Sequence, residues 1–141
     1  MIKVTSYINN NNKIIGFLCS GHAGYADKGF DIICSAVSVL VINTVNSIDE
    51  FTSDIFDYKE DEETGRIDFL IHSNVSDESE LLLKSLFLGL QGIQDSYGKK
   101  HIKFNKKRFV DFNIRSGGVY NVKNEPSIFR IKKGCWFFKE W

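Results

Sequence analysis

One apolar stretch, residues 31–51, sets the main constraint on how this chain can fold. Its helically spaced members are Ile33, Val37, Leu40, Val41, Thr44, Ile48 and Phe51. The spacing predicts a helix, although the many Val and Ile residues would by propensity alone allow a strand. Asp31 is a good N-cap, so we expect the helix to begin there. A helix with such an apolar side needs other elements to cover it.

Short segments on both sides of that stretch predict strands. Residues 2–8 alternate apolar with polar side chains, residues 13–20 form a more buried strand, and the Asn-rich turn 9–12 joins the two into a hairpin. Residues 55–58 and 67–71 predict two more strands, with an acidic turn between them.

A second helix and a last strand complete the pattern. Asp77, with Glu80 three residues later, predicts a helix start, and Gly98 predicts its end. Residues 101–104 predict a short final strand. The order ββαββαβ indicates an α+β domain of two layers, in which two helices pack on one face of a mixed or antiparallel sheet.

Composition narrows the class of protein. The 141 residues are 43% hydrophobic, which is enough for one domain with a core. They contain no run of 18 apolar residues, and the first residues lack the plan of a signal peptide, so we expect a cytoplasmic protein without a membrane span. Three Cys at uneven spacing cannot form a disulfide framework, and each is expected to be a thiol.

The charge balance changes abruptly along the chain. Residues 1–106 carry 10 basic and 15 acidic side chains, whereas residues 107–141 carry 8 and 3. Both Trp and the single Pro also lie in the second segment. We therefore predict a domain over 1–106 and an atypical basic, aromatic tail over 107–141. The acidic balance of the domain argues against direct nucleic-acid binding by it.

The chemistry-bearing residues lie between His22 and Cys34. A Gly-rich loop carries His22 and leads into the first helix, and Cys34 would be its third residue if Asp31 is the N-cap. Unpaired N–H groups and the helix dipole at such a position lower the pKa of a thiol and favour the nucleophilic thiolate. His22 could take the thiol proton and later give it to a leaving amine.

Other interpretations of these residues stay open. Cys34 beside apolar neighbours could be a small buried hydrophobe, and His22 could be a hydrogen-bonded structural residue. Cys19, His22 and Cys34 lack a fourth ligand at suitable spacing, so we expect no metal. A thiol redox sensor would need Cys19 as the resolving cysteine, but its strand position predicts a core residue.

A resemblance to a known family favours catalysis. Residues 21–38 spell GHAGYADKGFDIICSAVS, and NTVNSI follows at 43–48. The segment resembles the ribosomal-processing cysteine protease family Prp, which has a Gly-His-Ala loop, a further Gly, and Asp-Ile-Val-Cys-Ala at a helix start with a Ser four residues after the Cys. The resemblance covers residues 1 to about 106. Two departures, Ile33 for Val and Ser35 for Ala, leave the His and the Cys in place.

The resemblance implies roles for individual residues. Cys34 would be the nucleophile and His22 the general base and then the acid. Asp31 would be a supporting residue, and Ser38 would line the site or pack the helix. The remaining candidates form the loop or bind substrate: Gly21, Gly24, Gly29, Tyr25 and Phe30. The exposed side of the first helix is a further candidate wall of an apolar groove.

The resemblance also implies a reaction and partners. The family removes the N-terminal extension of large-subunit ribosomal protein twenty-seven, without a cofactor, and acts as a homodimer. The alternative function is a non-catalytic ribosome-assembly factor that binds the same ribosomal protein or rRNA. The tail at 107–141 is then either a ribosome-binding arm or the product of read-through into a neighbouring gene, and in the second case we expect it to be poorly packed.

Overall fold

The computed structural model describes residues 1–21, 30–61, 63–72 and 74–109. They form five strands and two helices in the predicted order ββαββαβ, which confirms the α+β class. The elements are β1 (Ile2–Ile8), β2 (Ile14–Ser20), α1 (Phe30–Phe51), β3 (Phe56–Asp61), β4 (Arg66–Ile71), α2 (Asp77–Tyr97) and β5 (Ile102–Arg108).

The sheet is mixed, with strand order β3-β4-β2-β1-β5. The three pairs among β1, β2, β3 and β4 are antiparallel, whereas β5 runs parallel to β1. The register places Val4 beside Cys19 and Cys19 beside Ile67. The start of β1, the end of β2 and the start of β4 therefore lie at one end of the sheet.

Both helices bury their apolar sides in one core. Because side chains alternate across a strand, the face that meets the helices carries Ile2, Val4, Phe17, Cys19, Ile67, Phe69 and Ile102, all at most 2% exposed. Phe17 stacks on Phe69 with ring centroids 5.4 Å apart. The helices touch where Leu40 of α1 lies over Gly89 of α2, whose missing Cβ would come within 2.9 Å of a Leu40 methyl carbon.

Helix α1 is long and apolar enough over its 20 residues Ile32–Phe51 to cross a membrane by length and composition alone. Its apolar side is nevertheless the core of this domain: Ile33, Val37, Val41, Val45 and Ile48 are each at most 1% exposed. Burying each of these side chains is worth about 2 kcal/mol. Its buried hydroxyls are satisfied within the helix, since the Oγ of Ser38 donates to the carbonyl of Cys34 and the Oγ1 of Thr44 to that of Leu40.

Two predicted boundaries are wrong. Helix α1 begins at Phe30, so Asp31 is its second residue and not its N-cap. Strand β5 runs to Arg108, beyond both the predicted strand end and the predicted domain boundary at 106. All seven of its residues pair with β1 through the backbone, and at an edge their polar side chains can reach water, so polarity does not stop the strand.

Helix α2 has the clearest cap. The Oγ of Ser76 accepts the N–H of Ser79 at 3.1 Å, one position before the predicted start at Asp77. Asp54, in the segment before β3, accepts both the N–H and the hydroxyl of Ser76. The helix ends at Gly98, whose φ of +105° suits glycine.

Candidate active site

Cys34 is the fifth residue of α1 and is partly buried against the core. Helical side chains point back toward the amino terminus, so its sulfur lies over the first turn. The N–H groups of that turn have no partner inside the helix and carry the positive end of the dipole. The shift from the expected third position to the fifth therefore keeps the thiol beside the groups that favour a thiolate.

The neighbours of Cys34 hold its backbone in place. Ile33 and Val37, on the core side of the helix, are each 1% exposed. Ser38, one turn further on, is 4% exposed, and its hydroxyl donates to the Cys34 carbonyl at 2.6 Å. This hydrogen bond favours the helix-packing role of Ser38 over a site-lining one.

Cys19 supplies a second thiol next to this position. It is 2% exposed, and burial, with a smaller contribution from the nearby Cys34, raises its pKa from 9.0 to about 12. Because the two thiols lie close enough to interact, the amino-terminal part of α1 lies near the end of the sheet where β2 ends. Cys19 therefore stays a protonated core thiol at neutral pH, as its strand position predicts, and Cys34 is the more exposed thiol of the two.

Gly21 controls how the chain leaves β2. Its φ is +113°, and a Cβ at this position would clash with the carbonyl oxygen of Met1. Any side chain there would clash with the first residue of the chain. Gly21 thereby determines the point from which the loop with His22 departs.

The other predicted loop residues lie outside the described residues: His22, Gly24, Tyr25 and Gly29. Of Phe30 and Asp31 the structure describes backbone positions at the start of α1. The structure thus brings together Gly21, Cys19, Cys34 and Ser38 at one end of the sheet. The roles of all the predicted site residues, Cys34 and Ser38 included, stay predictions.

The outer side of α1 is a poor candidate for the groove wall. Phe51, at 75% exposed, is the last residue of α1 and lies more than four turns from Cys34. Nearer to Cys34, the exposed apolar residues are Ile32 at 56% and Val39 at 45%. At 100° per residue, both lie on nearly the opposite side of the helix from Cys34. Ile32 and Val39 therefore do not lie beside the sulfur of Cys34.

The two described histidines lie at opposite ends of the sheet. The Nε2 of His72 lies 2.8 Å from the Oδ2 of Asp57. His72 follows the end of β4, about 15 Å along the strand from Ile67, the residue that pairs with Cys19. His101 lies at the Cys34 end, where its carbonyl accepts the N–H of Ile2 at 2.9 Å. Within the described ranges, no group of three or more His, Cys, Asp or Glu side chains could hold a metal ion.

Comparison with known proteins shows what this arrangement resembles. The family model described as cysteine protease Prp matches residues 1–103. The ribosomal processing cysteine protease Prp of Staphylococcus aureus is 30% identical over 107 residues, which are 76% of this chain and all of that protein. The Bacillus subtilis protein of the same name is 25% identical over 101 residues, covering 69% of this chain and 90% of that protein.

Solved structures show the same similarity. The Staphylococcus aureus protease with a covalently linked product peptide has a TM-score of 0.68 and 30% identity, and covers 76% of this chain and 100% of that one. The same enzyme with a substrate peptide has a TM-score of 0.70 at 29% identity, with the same coverage.

Proposed function

Because this chain belongs to the Prp family of cysteine proteases, which acts in ribosomal processing, we propose that Cys34 is its nucleophile and His22 its general base. The observation that carries the proposal is the position of Cys34, partly exposed over the first turn of α1, beside a buried thiol that cannot replace it. The family relationship makes the chain a cysteine protease, and the non-catalytic assembly factor is therefore not supported.

The proposed reaction follows from these two groups. His22 takes the proton of the Cys34 thiol, and the thiolate sulfur attacks the scissile carbonyl carbon. The amine leaves with the proton that His22 carried, which leaves a thioester on Cys34. Water, deprotonated by His22, then attacks the thioester carbonyl, and the C–S bond breaks to release the new carboxyl group. The protonated His22 returns its proton to the sulfur of Cys34, which restores the free enzyme. The covalently linked product peptide in the Staphylococcus aureus relative supports such an intermediate.

The charge that develops on the carbonyl oxygen needs donors. Cys34 is the fifth residue of α1, so its N–H donates to the carbonyl four residues earlier in the helix and is not available to the substrate. The donors are therefore N–H groups of the first turn or of the loop before it. Asp31, the second residue of α1, belongs to this turn, and the family resemblance gives it a supporting role.

We propose as substrate the N-terminal extension of large-subunit ribosomal protein twenty-seven. The support is the family resemblance, together with relatives that are named ribosomal processing proteases. The protein would act in the cytoplasm, where ribosomes are assembled.

A cleavage assay tests the nucleophile and the substrate together. The full chain is incubated with the extended ribosomal protein, and mass spectrometry follows loss of the extension. Cys34→Ala and His22→Ala should lose cleavage by 10²-fold or more, on the order expected for a nucleophile or its base. Cys19→Ala is the matched control, since it removes a thiol of the same end of the sheet and should keep cleavage. Cleavage by Cys34→Ala at the wild-type rate would overturn the proposal.

A homodimer is the second part of the proposal. The outer face of α2 exposes Leu81 at 68% and Leu88 at 75%, which lie seven residues apart and thus on one side of the helix. If the two chains meet there, Leu88→Lys should give a monomer in light scattering, whereas Ile32→Lys should not.

A further inference from the structure

The edge strand β5 and the turn before it carry only positive charge. Residues 98–109 contain six Lys and Arg residues and no Asp or Glu. We name as the basic edge these six and the adjacent residue of β1: Lys3, Lys99, Lys100, Lys103, Lys106, Lys107 and Arg108. All seven are exposed, and β5 is the outermost strand of the sheet on this side.

The register brings like charges together. Lys3 pairs in register with Lys103 on the neighbouring parallel strand, and strands lie about 4.8 Å apart. Like charges at such positions destabilise a sheet. Among the described residues, none of the six lysines has a carboxylate within 4 Å. No carboxylate of the described residues therefore relieves their repulsion.

The far end of the basic edge is held in a defined geometry. The guanidinium of Arg108 donates to the carbonyl of Asn9 and to the Oδ1 of Asn12 in the β1–β2 turn. The Nζ of Lys107 lies 5.3 Å from the ring centroid of Phe109. Two of the cations are thus positioned before any ligand arrives.

Protection against strand pairing does not account for this pattern. Exposed edge strands often carry lysines that prevent aggregation. The opposite edge strand, β3, has the same need and meets it with mixed charge, Lys59 among Asp57, Glu60 and Asp61. Residues 49–95 as a whole carry 13 acidic and 3 basic side chains. One edge is therefore positive although the domain is negative overall.

We propose that the basic edge binds the phosphodiester backbone of RNA. Phosphate is the anion that a row of exposed lysines neutralises, with release of counterions. The choice of RNA over DNA rests on the proposed function, because a protease of ribosomal proteins meets its substrate among RNA. The edge begins at the catalytic end, where His101 contacts Ile2, so bound RNA would lie next to the cleavage site. The negative balance of the whole domain, which argued against nucleic-acid binding, does not describe this edge.

The test compares two charge-matched variants of the full chain. Lys100, Lys103 and Lys106 are changed to Gln in one, and Lys59, Arg66 and Lys84 are changed to Gln in the other. Binding of a fluorescein-labelled RNA duplex is measured by anisotropy over a range of salt concentrations, with a DNA duplex of the same sequence as comparison. We expect the edge variant to bind RNA about tenfold or more weakly than wild type. Its slope of log affinity against log salt concentration should correspond to roughly two to three fewer released ions, whereas the control variant should bind like wild type.

Several outcomes would overturn the proposal. They are no binding of RNA by the wild-type chain, equal losses in both variants, tighter binding of DNA than of RNA, and an edge variant that aggregates yet still binds. Cleavage of a short peptide should be the same in both variants. RNA binding is also measured with Cys34→Ala. The result for RNA binding therefore does not depend on whether Cys34 is the nucleophile, and the two proposals can fail separately.

Discussion

Two thiols at one end of the sheet lie in different surroundings. Cys19 points into the core between Val4 and Ile67 on the neighbouring strands, where a thiolate would lose its hydration. Cys34 stays partly exposed over a helix start, where a thiolate is favoured. A strand position in the sequence predicts a core thiol, but only the folded structure shows that Cys19 lies close to Cys34.

The raised pKa of Cys19 predicts a pH dependence of stability. Between pH 9.0 and about 12 the unfolded chain releases the Cys19 proton while the folded chain keeps it. The free energy of unfolding should therefore fall as pH rises through this window, by at most about 1.4 kcal/mol per pH unit, and the contribution is fully present below it. The difference in the free energy of unfolding between wild type and Cys19→Ala, measured by urea titration, should become smaller as pH increases from 9. A constant difference between the two proteins would contradict the prediction.

At the level of elements, local pattern was sufficient where burial repeats along the chain. The 3.6-residue spacing of α1 and the alternation in β1 and β4 each result from one buried side. Pattern was insufficient for β5, because its pairing with β1 joins residues about 100 positions apart and depends on backbone contacts that side chains do not reveal. The same limit applies to the start of α1, where a good capping residue, Asp31, lies inside the helix. The role of Cys34 stays a prediction, and the sequence could suggest it because the motif around Cys34 is local.

The two inner glycines of α2 provide a test of packing against helix propensity. A Cβ at Gly92 would meet nothing within 4 Å, so Gly92→Ala should raise the free energy of unfolding by about 0.5–1 kcal/mol. A Cβ at Gly89 would lie 2.9 Å from Leu40, whose flexible end must move, so Gly89→Ala should gain less or nothing. Thermal melting of both variants checks this order, and a larger gain for Gly89→Ala would show that the contact with Leu40 is looser than the structure has it.

At the level of the whole molecule, the domain closes after the predicted boundary at 106. Phe109 packs edge-on against Tyr7 with centroids 4.9 Å apart, and its N–H donates to the carbonyl of Ile8 at 2.8 Å. Arg108 ties the same strand end to the turn at Asn9. The last residues of β5 thus belong to the fold, whatever the role of residues 110–141.

Truncation locates this boundary. A chain of residues 1–106 loses the last two paired positions of β5, the aromatic contact and backbone hydrogen bond of Phe109, and the Arg108 bonds. Together these are worth at least about 2–3 kcal/mol. A chain of residues 1–109 keeps them. The urea midpoint of the shorter chain should be clearly lower, with both compared against the full chain. Equal midpoints for the two truncated chains would show that the end of β5 adds no stability.

The parallel pairing of β1 with β5 has a mechanical consequence. The chain enters the domain at the Cys34 end of β1 and leaves it at the opposite end of β5, and the two strands are neighbours over seven paired positions. Tension applied between the entry and the exit would slide one strand along the other, loading all the hydrogen bonds between them at the same time. A machine that pulls on the chain from beyond β5 while the start of β1 is held would therefore load these hydrogen bonds in shear.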